Sequence, residues 1–329
     1  MTDSIRWGLI GLGSISRKFA TGLGYLPDAE VYAVASRSAD KADVFGAEFG
    51  ATKCYGSYEA LANDPDVDVV YIGTPHTYHL SNTLLCLKAG KHALCEKPFA
   101  VNRAQAQEMV DCARANKRFL MDAFWTRFFP GMVKLRELLA DDVIGDVMLL
   151  QVDFGFRMGQ ILPEHRLFNP ELGGGALLDV GVYCVQLASM VFGKQPSEIL
   201  SQGTLGSTGV DELSATIFKY SDYELAIIAT AIRLNTPQEA RIIGSKGVIA
   251  LSEWWRPSEM TVAVSGQEPE TLKFQNEGNG FNYEAAAVGD CIRSGLIECD
   301  VMPLEETLAI MDTMDRIRAV WGLRYPVES

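Results

Sequence analysis

The chain has 329 residues, 48% of them hydrophobic and 22% charged, a soluble globular composition long enough for two domains. Its net charge of -13 argues against nucleic acid and against an anionic membrane surface, both of which are bound by clustered Lys and Arg. No uncharged apolar run reaches the roughly 18 residues that span a bilayer, and residues 1–4 lack the basic stretch of a signal peptide, so a cytoplasmic protein is expected. Its seven cysteines form no Cys-x-x-Cys pair and no Cys/His ligand spacing, so neither a disulfide framework nor a metal site is expected.

Short apolar runs alternate with helical periodicity over the first third. Strand-like segments fall at residues 6–10, 31–35, 52–55, 67–73, 92–95 and 119–124. Helices are read at 15–26, 40–49, after Ser57, at 79–88 and from a capping box, Asn102 with Gln105, to about Ala115. This alternation predicts a doubly wound parallel (Rossmann) sheet over residues 1–124. The rhythm then changes. A helix follows Pro130, and strands come in succession at 148–156, 213–220, 223–233, 238–244, 248–252, 260–264 and 271–274. With helices at 176–192, 281–294 and 303–321, residues 125–329 read as an α+β domain with a large, mostly antiparallel open sheet.

The segment Gly11-Leu12-Gly13-Ser14-Ile15-Ser16 lies between a strand and a helix, the context a dinucleotide turn requires. Gly11 permits the tight turn and Gly13 lets the backbone approach a pyrophosphate at the helix N-terminus. Ser16 stands where a third glycine is usual, so the helix is expected to pack slightly farther from the strand. The second strand ends in Ser36-Arg37, with no acidic residue to hold a ribose, which favours NADP. Thr74-Pro75-His76, His79 and Glu96-Lys97-Pro98 follow the carboxyl ends of later strands and are further candidates for cofactor contact. His92 and His165 carry no functional signal.

The helix from Ala176 is apolar except for Asp179, Tyr183, Gln186 and Ser189, and the first three share one face. A buried carboxylate is costly unless paired or functional, so Asp179 reads either as half of a structural Asp–Tyr bond or as a catalytic group. Gly173-Gly174-Gly175 ahead of it suggests close backbone approach to a ligand.

These motifs together resemble the glucose–fructose oxidoreductase / inositol dehydrogenase family over essentially the whole chain, with Glu96-Lys97-Pro98 the most specific. Many members carry His where this chain has Tyr183. Tyrosine there, with Trp125-Thr126-Arg127-Phe128-Phe129-Pro130, looks like the dihydrodiol dehydrogenase / NADP-dependent D-xylose dehydrogenase branch. The resemblance implies an NADP-dependent oxidoreductase acting on a carbinol of a sugar or cyclic trans-diol. Lys97 and Tyr183 would be its catalytic pair, with Asp179 orienting the substrate hydroxyl or the pair. A phenol titrates near 10, so Tyr183 as general acid/base needs the help of a nearby cation such as Lys97. Trp125, Phe154, Trp254 and Phe281 are candidates to line the substrate pocket. A homodimer through the C-terminal sheet is expected from the architecture and the resemblance. The alternatives are a glycoside-modifying enzyme that recycles its cofactor and a catalytically idle NADP-binding regulator.

Overall fold

The structure, a computed structural model, describes residues 4–328; residues 1–3, read above for the lack of a basic leader, lie outside the described residues. The first elements are β1 (Ile5–Ile10), α1 (Ser14–Leu23), β2 (Ala29–Ala35), α2 (Ala39–Phe49), β3 (Lys53–Tyr55) and α3 (Tyr58–Ala62). There follow β4 (Val69–Ile72), α4 (His79–Lys88), β5 (His92–Glu96), α5 (Arg103–Asn116) and β6 (Leu120–Ala123). All six strands are parallel, in the order β3-β2-β1-β4-β5-β6. This is the doubly wound order, with its topological switch between β1 and β4. All four residues of β4 are buried, as an apolar strand covered on both faces must be. Ser38, Ser57 and Asn102 accept the N–H groups of Lys41, Ala60 and Gln105 and so start α2, α3 and α5. Gln105 reaches back to the N–H of Val101, which completes the cap one residue earlier than the usual box.

The remaining elements are α6 (Pro130–Ala140), β7 (Val147–Gly155), a π-helical turn (Leu177–Gly181) running into α7 (Val182–Phe192), β8 (Glu198–Leu205), β9 (Asp211–Ser221) and β10 (Glu224–Ala231). Next come β11 (Glu239–Gly244), β12 (Gly247–Ser252), β13 (Glu259–Val264), β14 (Glu270–Lys273), α8 (Phe281–Arg293) and α9 (Leu304–Trp321). The eight strands form one sheet in the order β14-β13-β12-β11-β7-β10-β9-β8, antiparallel except for the parallel pair β7 and β10. Strand β8 is the one that periodicity missed. It is an edge strand interrupted by Gly203, where a Cβ would meet the Trp321 ring at 2.6 Å. A side chain contributed from α9 thus replaces the apolar alternation that would have marked the strand. Residues Pro170–Phe192 are long and apolar enough to cross a membrane by composition alone, yet they are mostly buried in the protein.

The chain divides into two compact units. The first runs through Phe128 and includes Glu277–Leu308; the second holds Phe129–Asn276 and the chain from Ala309 onward. A single boundary at residue 124 therefore misplaces the returning segment. Its ties to the first unit are strong. Phe281 meets Phe19 edge-on and stacks on Trp125 at 4.7 Å, and the β6 residue Leu120 donates its N–H to Ile297 O. The buried Arg127 pairs with Glu306 at 2.5 Å and donates to Val301 O. Nothing in the periodicity of α8 says which sheet it covers.

Candidate active site

The dinucleotide turn occupies the end of β1 in the first unit. Gly11 has φ 79°, and a Cβ there would lie 2.5 Å from Thr74 N, so only glycine fits. A Cβ on Gly13 would meet nothing nearer than Gly11 O at 3.8 Å. The protein's own packing does not demand glycine at 13, and the open space leaves the backbone accessible to a ligand. No side chain caps α1, and its first turn holds no acidic residue, so its first N–H groups suit an anion. These features fit the pyrophosphate of a nicotinamide dinucleotide. Ser14 and Ile15 supply N–H groups in that first turn, whereas the Leu12 side chain is buried in the core and can offer only its backbone.

Ser16 does not push the helix outward as expected. Its hydroxyl donates to Gly11 O at 2.8 Å and lies 2.4 Å from where a Cβ on Gly73 would stand. The missing third glycine is supplied from the end of β4. At the end of β2, the buried Ser36 hydroxyl accepts the Ser38 N–H, and Arg37 is exposed.

Beyond β4 and β5 the expectations divide. Thr74 is buried and its hydroxyl accepts from Asn82 at 3.1 Å, while Pro75 is exposed and His76 half-buried. Lys97 is half-buried and precedes a cis proline. His79 and Glu96, both expected to touch cofactor, face the protein instead. His79 is 0% exposed, with Nε2 at 2.8 Å from Thr74 O and Nδ1 at 2.9 Å from Pro98 O. The ring thereby sits between the Thr74 and Lys97 loops, an uncharged imidazole donating to one of the two carbonyls. Burial holds its pKa below the ordinary histidine value, against the pull of those carbonyls. Glu96 accepts the Tyr71 hydroxyl at 2.5 Å and the Lys97 N–H at 3.1 Å, because a carboxylate facing the sheet interior needs donors. Asp122 and Glu284 are two further buried carboxyls that sequence patterns did not single out. Burial first and then the Glu96 charge raise both well above the ordinary carboxyl range.

In the second unit, Asp179 lies within the π-helical turn and Tyr183 one turn later, both buried. Asp179 accepts a 2.9 Å hydrogen bond from Arg166, whose side chain is 52% exposed. The carboxylate is thus paired to a cation from another segment. Sequence reasoning missed Arg166, although the cost of burying Asp179 called for such a partner. Two of the three glycines, Gly174 and Gly175, are required by this packing. A Cβ on Gly174 would meet Leu167 O at 2.7 Å and Arg166 O at 2.8 Å. Gly175, with φ 117°, would place a Cβ 2.2 Å from Asp211 Oδ1. These contacts press residues 166–167 onto the start of the helix and bring Arg166 within reach of Asp179.

The four predicted pocket aromatics fall into two groups. Trp125 stacks on Phe281 within the first unit, and Phe281 is 3% exposed, so it serves the packing of α8 against α1. Phe154 lies 5.4 Å from the Tyr183 ring in the second unit. Trp254 is 0% exposed and donates to Asp153 O, which makes it core rather than pocket lining. Its neighbour Trp255, missed in the sequence, is half-buried and stacks on Phe154 at 5.7 Å. Lys97 belongs to the first unit, and Tyr183 and Asp179 to the second.

Comparison with known proteins gives these features a context. Residues 5–124 match a family described as an oxidoreductase family with an NAD-binding Rossmann fold, and residues 132–250 match the GFO/IDH/MocA C-terminal domain. The chain belongs to the GFO/IDH/MocA oxidoreductase family. It is similar to trans-1,2-dihydrobenzene-1,2-diol dehydrogenase of Xenopus tropicalis, 42% identical over 98% of this chain and 99% of that one. The human protein of the same name is 39% identical over 98% of each. Among solved structures, a 3-ketoreductase from Actinomadura kijaniata, in complex with NADP and TDP-benzene, superposes with a TM-score of 0.84. That match has 25% identity and covers 96% of this chain and 98% of that one. An aldose-aldose oxidoreductase from Caulobacter crescentus shares the fold, with a TM-score of 0.88 at 23% identity over 98% of each chain. With relatives this similar over its full length, this GFO/IDH/MocA member is a nicotinamide-dependent dehydrogenase.

Proposed function

We propose that this enzyme interconverts a carbinol and a carbonyl on a sugar or cyclic trans-diol, with NADP as its cofactor. The observation that carries the reading is full-length identity of 39–42% to proteins named trans-1,2-dihydrobenzene-1,2-diol dehydrogenase. The preference for NADP rests on the end of β2, where an exposed Arg37 and the hydroxyl of Ser36 stand in place of a carboxylate. A bound nicotinamide supplies the two-electron exchange at the carbinol carbon. The chain's own residues bind, orient and move the proton. Tyr183 exchanges the substrate hydroxyl proton at its Oη, and Lys97 supports the phenolate. Asp179 acts through Arg166, fixing that guanidinium beside the same helix turn. Phe154 packs 5.4 Å from the Tyr183 ring and carries the half-buried Trp255 stacked on it, flat apolar surface that suits a cyclic diol and also the apolar face of a sugar ring.

Initial rates of NADP reduction with aromatic trans-dihydrodiols, aldopentoses and aldohexoses test the substrate class. Tyr183→Phe and Lys97→Met are each expected to lower kcat by about 10²–10⁴ while cofactor binding persists. Near-wild-type turnover in either variant would remove that residue from the mechanism.

We also propose a homodimer through the outer face of the eight-stranded sheet. Leu200, Ile217 and Ile227 are cross-strand neighbours, and Leu213 and Leu225 share their face. These residues are 38–69% exposed, an apolar row of the kind that marks an interface.

A further inference from the structure

The amino-terminal edge of the parallel sheet, opposite the dinucleotide turn, carries a pocket of about 580 Å³. It lies within the first unit, between the start of β1, the loop before β4, the start of β5 and the end of α8. One strand length, roughly 17 Å, separates it from Gly11 and Lys97. Its size is that of a small-molecule site, and its wall is basic: Arg6, Lys91, Arg118 and Arg293, with His92 among them. In a chain of net charge -13 such a concentration calls for an account.

Two of the cations are satisfied. Arg6 takes both oxygens of Asp68, the carboxylate in the wall, and reaches Asp66 as well. Arg293 pairs with Asp28 and Asp290. The other two lack an ion-pair partner among the described residues. Buried Lys91 donates to the carbonyls of Asp64 and Val67 and forms no ion pair among the described residues. The Arg118 guanidinium forms neither ion pair nor hydrogen bond among the described residues, and its Nε is buried without a partner. His92 accepts the Phe119 N–H on Nδ1, so its proton sits on Nε2 as a neutral donor. Burial, reinforced by the Arg118 charge, keeps this imidazole down at about 4, so it adds no third charge.

We propose that this pocket is an anion site, separate from the catalytic one, that takes a phosphate dianion, either inorganic phosphate or the phosphate of a monoester. Lys91, held by carbonyls, and Arg118, whose guanidinium has no partner, supply the cations that line the pocket without a carboxylate in hydrogen-bond reach. The planar fork of Arg118 matches the oxygens of the ligand.

The test uses the enzyme saturated with NADPH, so that phosphate cannot occupy the dinucleotide turn. Inorganic phosphate and phenyl phosphate are titrated calorimetrically at fixed ionic strength with chloride as the balancing anion. Wild-type protein is expected to bind both, and Arg118→Gln to bind them about tenfold or more weakly, the usual effect of losing a charged hydrogen bond. The Arg118 side chain is half-exposed and bonds to nothing described, so its replacement leaves the fold in place; far-UV dichroism and NADPH binding check this. Arg293→Gln, across the pocket, is a second variant expected to weaken binding several-fold. Tighter binding of phenyl phosphate identifies an ester as the ligand, and equal binding identifies free phosphate. Absence of binding to wild-type protein, or unchanged affinity in both variants, overturns the proposal.

Discussion

Asp179 shows what a single residue can and cannot disclose. Its apolar surroundings along the helix announce a buried carboxylate, and burial requires compensation. The compensating cation, Arg166, lies in an irregular segment with no periodicity to mark it. The same limit applies at Trp254 and Trp255, where adjacent identical residues divide into core and half-exposed face by the register of one loop. His79 and Glu96 sit in motifs whose neighbours face outward, but their own polar atoms are taken by Thr74, Pro98, Tyr71 and Lys97. If Arg166 and Asp179 act as one unit, a double-mutant cycle with Arg166→Met and Asp179→Asn should show coupling. A value of about 1 kcal/mol is expected, discounted because the guanidinium is half exposed. Additive losses of stability and of kcat/KM would mean that the two side chains work independently.

At the scale of elements, strands and helices with clean apolar periods were legible, including all six parallel strands and the helix bearing Tyr183. Strand β8 was hidden because Trp321 fills the place of the side chain that Gly203 lacks. The start of that same helix depends on a contact no local pattern reveals. Asp211, at the beginning of β9, accepts the Leu177 N–H at 2.6 Å and is fully buried. Burial raises its pKa to about 7, against the pull of backbone N–H groups at Leu177 and Ala176. A carboxyl whose folded pKa exceeds its unfolded value stabilises most below the unfolded value, near 4. That contribution is lost as pH rises through 7. Urea unfolding should therefore show wild-type stability falling between about pH 4 and 7, by at most about 1.4 kcal/mol per unit from this group. Asp211→Asn should flatten that interval. Parallel curves for the two proteins would show that Asp211 does not titrate there.

For the whole molecule, a Rossmann sheet followed by a large antiparallel sheet was evident from the change of rhythm near residue 124. That α8 returns to the first unit was not, because periodicity reports that a helix has a buried face and not what buries it. The outer face of the eight-stranded sheet has a similar status. Its apolar row of Leu200, Ile217 and Ile227 is plain in the structure, and alternation alone would have put polar residues there. Light scattering at micromolar concentration is expected to give twice the mass of one chain. Ile217→Arg with Ile227→Glu should shift it to one chain, since charges placed at the centre of an apolar interface are costly to bury. A monomeric mass for the unaltered protein would leave that face for another occupant.

The return of Glu277–Leu308 to the first unit also sets an order of events at the ribosome. The Phe19 and Trp125 rings against which Phe281 packs are synthesised long before it. At about 5–20 residues per second, the nascent Rossmann sheet waits roughly ten to forty seconds for its last helix. The cofactor-binding unit, first in the sequence, is thus among the last parts of the enzyme to be finished.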